Sequence, residues 1–215
     1  MEKLHLDILD TERKKIFQKL SVFRSVGFLS GGTALALQLG HRVSYDFDIF
    51  CAKEISATFP AKIQKEMLVR EVLVNNGDEF TFLTEYDIKA SFIFYPFDLG
   101  KYILEFSDAP LQIISPFGVA LTKAYALNRR NAWRDYVDLF FILKNNITNI
   151  ENIIREASIV YGELFNEKLF LSQLLYTADI SEAEINNTQM IESVTLVEVA
   201  TFFEKEVGAY LERKL

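Results

Sequence analysis

A glycine pair followed by a closely spaced acid pair constrains this chain more than any other feature. The stretch runs Leu29-Ser-Gly-Gly-Thr-Ala-Leu-Ala-Leu-Gln-Leu-Gly-His-Arg-Val-Ser-Tyr-Asp-Phe-Asp-Ile-Phe50, with thirteen residues between Gly32 and Asp46. An apolar run entered through Gly31-Gly32 reads as a strand, a tight turn and a helix, and Asp46-Phe47-Asp48 begins a second strand. Residues at i and i+2 of a strand share a face, so Asp46 and Asp48 project together, roughly 7 Å apart at Cα. Mg²⁺ is usually held by one or two carboxylates plus substrate phosphates. Gly31 and Gly32 carry no side chain to keep a phosphate from the backbone at a helix N-terminus. Together these residues point to a nucleoside triphosphate lying between a glycine turn and a metal-bearing strand.

The surrounding pattern supplies a mixed scaffold. Residues 10–25 read as a helix, capped by Asp10 or Thr11, with Ile16, Leu20 and Phe23 on one stripe. Phe28–Ser30 is a short strand, residues 33–40 a helix ended by Gly40, and Asp46–Phe50 a strand. Residues 58–68 are helical. Strands at Val69–Val74 and Glu79–Glu85 flank an Asn75-Asn-Gly77 turn, and Ile88–Tyr95 is a further strand stopped by Pro96. One more edge strand is expected between Tyr102 and Ile114. Ser115-Pro116 then opens a nearly all-helical stretch, with breaks near Asn145-Asn146, Gly162 and Asn186-Asn187 and a capping box at Ser181–Glu184. The expected fold class is α/β (α+β): a mixed lobe with a short sheet over residues 1–114, then an α-helical lobe over residues 115–215.

Composition narrows the function classes. Half of the 215 residues are hydrophobic, 19 of them Phe, which supplies a sizeable core and excludes intrinsic disorder. A net charge of −7 argues against general coating of nucleic acid, though not against a local basic patch. Cys51, the one cysteine, excludes an intramolecular disulfide and reads as a small buried hydrophobe. No signal peptide and no apolar run of bilayer length is visible, so a cytoplasmic protein without a membrane partner is expected. His5 has no companion ligands for zinc.

The glycine pair, the spacer and the Asp-x-Asp resemble the signature of DNA polymerase β-like nucleotidyltransferases. The longer string through Gly40-His-Arg42, Ser44 and Asp46-Phe-Asp-Ile-Phe50 resembles more narrowly the AbiEii/AbiGii toxin family. Lys123-Ala-Tyr-Ala-Leu-Asn-Arg-Arg130 and Arg134-Asp-Tyr-Val-Asp-Leu139 resemble a later motif of that family. The resemblance spans residues from about 28 to 143. It implies a polymerase β-like lobe and transfer of a nucleotide from an NTP such as ATP, with Mg²⁺ (or Mn²⁺). It also implies a tRNA or protein-hydroxyl acceptor and a cognate antitoxin protein in a toxin–antitoxin or phage-defence system.

On that resemblance Asp46 and Asp48 are the catalytic metal ligands. Gly31, Gly32, Thr33 and Ser44 line the nucleotide turn. Lys123, Arg130 and Arg134, at i, i+7 and i+11, would form a cationic stripe on one continuous helix facing the phosphates. Asp135 and Asp138 would support those cations, or pair locally as in Arg134–Asp138. The family pattern has a third acid on a later strand. Here the matching segment is Ile88-Lys-Ala-Ser-Phe-Ile-Phe-Tyr-Pro-Phe97, with Ser91 in that acid's place. Glu105 is the expected substitute metal ligand, since Asp87 lies about 13 Å along the strand from Ser91. If nothing substitutes, the alternative is a catalytically degenerate protein that binds nucleotide or a partner. Arg129, Arg130 and Arg134 could equally meet an RNA backbone and Trp133 could stack on a base, although Trp133 reads better as packing, and His41 reads as structural.

Overall fold

The structure, a computed structural model, describes residues 3–214. These divide into two compact units on either side of the Ser115–Pro116 junction.

The first unit is built on seven strands: β1 (Gly27–Ser30), β2 (Phe47–Cys51), β3 (Val69–Asn75), β4 (Glu79–Thr84), β5 (Lys89–Phe94), β6 (Ile103–Leu104) and β7 (Ile113–Ile114). Their order is β3-β4-β5-β2-β1-β7-β6. The β2–β5 and β1–β7 pairs are parallel and the others antiparallel, so the sheet is mixed. Side-chain alternation gives its two faces different fates. On one face Leu29, Phe47, Ile49, Phe80, Ala90 and Phe92 are fully buried. Helix α1 (Thr11–Lys19), the 3₁₀ turn after it and α3 (Phe59–Glu66) cover that face: Phe17 stacks on Phe47, while Phe23 and Phe59 meet Phe92 edge-on. The other face carries Asp48 and Phe50 on β2, both half-buried.

Local rules account for the boundaries. Asp10 caps α1 by accepting from the Arg13 amide. The α-helix expected to reach residue 25 ends at Lys19 and continues as a 3₁₀ turn, Leu20–Phe23, which keeps Ile16, Leu20 and Phe23 buried on one stripe. Helix α2 (Gly31–Leu39) starts within the glycine pair and stops at Gly40, whose left-handed φ of 64° suits a residue without Cβ.

The second unit is helical: α4 (Pro116–Leu127), α5 (Trp133–Lys144), α6 (Ile150–Tyr161), α7 (Glu167–Leu175), α8 (Glu182–Asn186) and α9 (Leu196–Glu212). Complete capping boxes, Ser181 with Glu184 and Thr195 with Glu198, start α8 and α9. Its core gathers Tyr136, Phe141, Phe170 and Phe203, and the Tyr136 hydroxyl donates to the Gln173 and Tyr176 carbonyls. One expectation fails here. Lys123, Arg130 and Arg134 do not lie on one continuous helix, because the chain leaves helical geometry between Leu127 and Trp133. Among the described residues no helix is long and apolar enough to cross a membrane.

Candidate active site

Strand β1 delivers the chain directly into the glycine turn. Gly31 adopts φ +68°, a conformation that costs an L-residue with a Cβ about 1–2 kcal/mol. A Cβ on Gly31 would sit 2.7 Å from the Asp48 carboxylate oxygen Oδ2, so the bare Gly31 backbone and this acid face each other directly. A Cβ on Gly32 would fall 2.1 Å from an Arg42 guanidinium nitrogen. Arg42 is only 2 % exposed, and it also donates to the Val43 carbonyl at 3.1 Å. The glycines are therefore required by two charged side chains packed against the turn, one acidic and one basic.

The acid pair is positioned from both sides. Asp48 is in register with Ser30 on β1 and with Ser91 on β5, which places two hydroxyl side chains beside it on one sheet face. Ser30 Oγ is buried and has no hydrogen-bond partner among the described residues, an orphaned polar atom at the entrance to the turn. The backbone leading to Asp46 is tied to α2. Thr33 Oγ1 donates to the Asp46 carbonyl and to Ser44 Oγ, the latter at 2.8 Å. Both hydroxyl residues are buried, so Thr33 and Ser44 set the position of Asp46 from beneath the surface. Asp46 itself is ion-paired with Lys89 on β5, Nζ to Oδ2 being 2.9 Å, with the two side chains 39 % and 30 % exposed.

Two carboxylates and two hydroxyls are hard oxygen donors, and the glycine turn adds backbone amides. That chemistry fits one divalent cation shared with a phosphate chain, because Mg²⁺ takes few protein ligands and completes its shell with water and phosphate oxygens. It does not supply a third acid: among the described residues no three acidic, histidine or cysteine side chains cluster as a metal site. Glu105, expected as the substitute, follows β6 at the sheet edge, two strands beyond β1. There it pairs with Arg24 and accepts from the Gln112 amide, so it does not join Asp46 and Asp48. Asp87 pairs with Arg70.

In the helical unit the later motif forms its own cluster. Lys123 on α4 reaches two carboxylates of α5, Asp135 at 2.6 Å and Asp138 at 2.8 Å. Arg130, in the connection, donates Nε to Asp135 at 2.9 Å. Asp135 is 1 % exposed and Asp138 fully buried. Burial pushes the Asp135 carboxyl up, but the charges and hydrogen bonds of Lys123 and Arg130 outweigh it and hold the group below the usual carboxylate range. Arg134 points elsewhere: it is exposed and lines a cavity of about 250 Å³ with Trp133, Glu184, Asn187 and Thr188, so the Arg134–Asp138 pair is not formed. Trp133 is 1 % exposed and belongs to the packing. Burial also raises the Cys51 thiol to about 11, which leaves it protonated and unsuited to nucleophilic work.

Ser30, Arg42 and Lys89 are the site residues that sequence reading passed over. Ser30 and Arg42 stand inside the motif string, and an i−2 spacing from Ser91 was the available signal for Lys89.

A strand–glycine turn–helix–strand unit bearing an acid pair on a mixed sheet defines a nucleotidyltransferase fold, and solved structures agree. MenT4, the nucleotidyltransferase toxin Rv2826c of Mycobacterium tuberculosis H37Rv, superposes with a TM-score of 0.61 at 14 % identity, covering 91 % of this chain and 80 % of that one. JHP933 of Helicobacter pylori gives a TM-score of 0.54 at 16 % identity over 98 % and 96 % of the two chains. The family profile described as "Nucleotidyl transferase AbiEii toxin, Type IV TA system" matches residues 19–209. The chain belongs to this family of nucleotidyl transferase toxins. An uncharacterized protein of Aquifex aeolicus (strain VF5), aq_aa25, is 29 % identical over 188 residues, which cover 86 % of this chain and 88 % of that protein.

Proposed function

We propose that this protein transfers a nucleotide from an NTP to an acceptor hydroxyl with Mg²⁺ (or Mn²⁺), as the toxin of a cytoplasmic toxin–antitoxin pair. The observation that carries the reading is that the glycine turn at the N-terminus of α2 and the Asp48 carboxylate lie side by side, with Gly31 in direct contact with that acid. Phosphate oxygens can reach the backbone only where no Cβ intervenes, and α2 adds the partial positive charge of its N-terminus. Asp46 and Asp48 would hold the metal, which when bound neutralises phosphate charge and polarises the reacting oxygens. Ser30 keeps a buried, partnerless hydroxyl in register with Asp48, and Arg42 packs against Gly32.

In the transfer itself, the acceptor oxygen bonds to the α-phosphorus as the bond to the β-phosphate bridging oxygen breaks. Pyrophosphate leaves with that electron pair and the hydroxyl proton passes to solvent. In-line displacement of this kind depends mainly on positioning and charge, which the rigid strand pair provides. In the helical unit the Lys123 ammonium is taken up by the buried Asp135 and Asp138, which leaves Arg130, 64 % exposed and held by Asp135, as the cation of that cluster we assign to phosphate contact. RNA is the acceptor we favour, with tRNA as one class and a protein hydroxyl as the competitor. A cognate antitoxin is the implied protein partner.

A second reading rests on Ser91, which stands in register beside Asp48 without a carboxylate. In it the fold binds nucleotide or a partner and transfers nothing. One experiment separates the two: NTP labelled at the α-phosphate is incubated with protein, Mg²⁺ and total RNA. Label in RNA from wild type, absent with Asp46→Ala, supports transfer. If wild type is silent and Ser91→Asp is active, the degenerate reading holds. Equal labelling by wild type and Asp46→Ala refutes transfer at this site.

A further inference from the structure

A cavity of about 420 Å³ opens in the first unit, lined by aromatic residues from several strands and the segments after them. Phe50 and Tyr95 stack with ring centres 4.3 Å apart and planes 16° from parallel. Phe28 packs edge-on against Phe50, and Phe97 edge-on against Tyr95. All four rings are half-buried. Arg24, Asp98 and Gln112 supply polar groups to the same cavity.

Its position is what gives the cavity meaning. Phe50 follows Asp48 by two residues, so it lies on the same sheet face, roughly 7 Å further along β2. Phe28 is paired with Phe50, as Ser30 is with Asp48. Along this face the order is therefore glycine turn, acid, aromatic cavity. If the phosphates occupy the turn, pyrophosphate departs on that side of the α-phosphorus. The attacking oxygen must then come from the opposite side, where the aromatic cavity begins.

We propose that this cavity receives the unpaired terminal nucleobase of an RNA acceptor and thereby sets the acceptor's ribose hydroxyl beside Asp48. This rests on the transfer reading above and names where its acceptor binds. Stacked aromatic rings take any base through its π-face, whereas a Ser or Thr hydroxyl acceptor carries no planar group of its own. The cavity is large enough for a base and its sugar. Gln112 and Asp98 present hydrogen-bonding groups for the base edge. Among the described residues the Arg24 guanidinium is held by a surface pair with Glu105, so it can turn to the RNA backbone at little cost.

The test is anisotropy of a short 5′-labelled single-stranded RNA, with and without a 3′-terminal abasic residue, in the absence of NTP. Wild type should prefer the intact end by about tenfold, the effect of one stacked base. Tyr95→Ala should erase that preference and Tyr95→Phe should keep it, with NTP affinity by equilibrium dialysis unchanged in both. Absence of the preference in wild type overturns the proposal, and that arm needs no variant to fold. Loss of NTP affinity in Tyr95→Ala overturns it too, since the cavity would then hold the nucleotide's own base. Because nothing is transferred, an end preference without label transfer leaves this site standing while the transfer reading falls.

Discussion

Replacing Lys123 by Met probes the charge cluster of the helical unit. The side chain is 8 % exposed and its ammonium is shared by Asp135 and Asp138, themselves 1 % and 0 % exposed. Met retains most of the volume, so the change removes a charge with little loss of packing. Arg130 still serves Asp135, but it is 64 % exposed and contributes as a partly solvated group. Breaking a buried pair by deleting one partner costs about 3–5 kcal/mol. For a chain of this size that corresponds to a fall in Tm of roughly 6–20 °C. The assay is urea or thermal unfolding followed by circular dichroism. Lys123→Met with Asp138→Asn should recover part of the loss, because the orphaned carboxylate is then neutral. A loss under about 1 kcal/mol, with no recovery in the double variant, would refute the view that this lysine compensates the buried acids.

Three further outcomes follow from the same geometry. Gly31→Ala meets both a left-handed φ and the Asp48 carboxylate, so we expect a loss of about 1–2 kcal/mol from the backbone alone, with NTP binding abolished; a variant that binds NTP normally would show that the turn does not hold phosphate. The Asp135 carboxyl is held below its ordinary value in the fold, so its contribution is present above the unfolded pKa of about 4 and is lost as pH falls through the lower folded value. The Tm gap between wild type and Asp135→Asn should accordingly be wide at pH 7 and shrink below about pH 4. Lys89→Met removes the ammonium that neutralises Asp46 and should tighten Mn²⁺ binding, by a few-fold at most for a half-exposed pair; weaker binding in an equilibrium titration would show that Lys89 helps the cation instead.

Much of the first unit was readable because its signals are local. Gly40 ends α2 through its left-handed φ, Asn76 accepts from the Asp78 and Glu79 amides to turn the β3–β4 hairpin, and alternation along β2 separates Asp48 from Ile49. What could not be read depended on partners distant in sequence. Nothing near Glu105 says that Arg24, 81 residues away, pairs with it, or that β6 ends up at the sheet edge. The Lys123–Arg134 stripe failed because helical spacing was extended through Asn128–Ala132, where the chain leaves the helix. Arg42 and Lys89 became visible only when the strands and the turn brought them to Gly32 and Asp46.

The most direct test of the acid pair is Mn²⁺ titration followed by electron paramagnetic resonance, with and without a non-hydrolysable NTP analogue. Wild type should bind one Mn²⁺ that tightens when the analogue is present, and Asp48→Asn should lose both the ion and the tightening. Unchanged binding in Asp48→Asn, or binding by wild type that ignores the analogue, would contradict a metal–triphosphate site formed by the glycine turn together with Asp48.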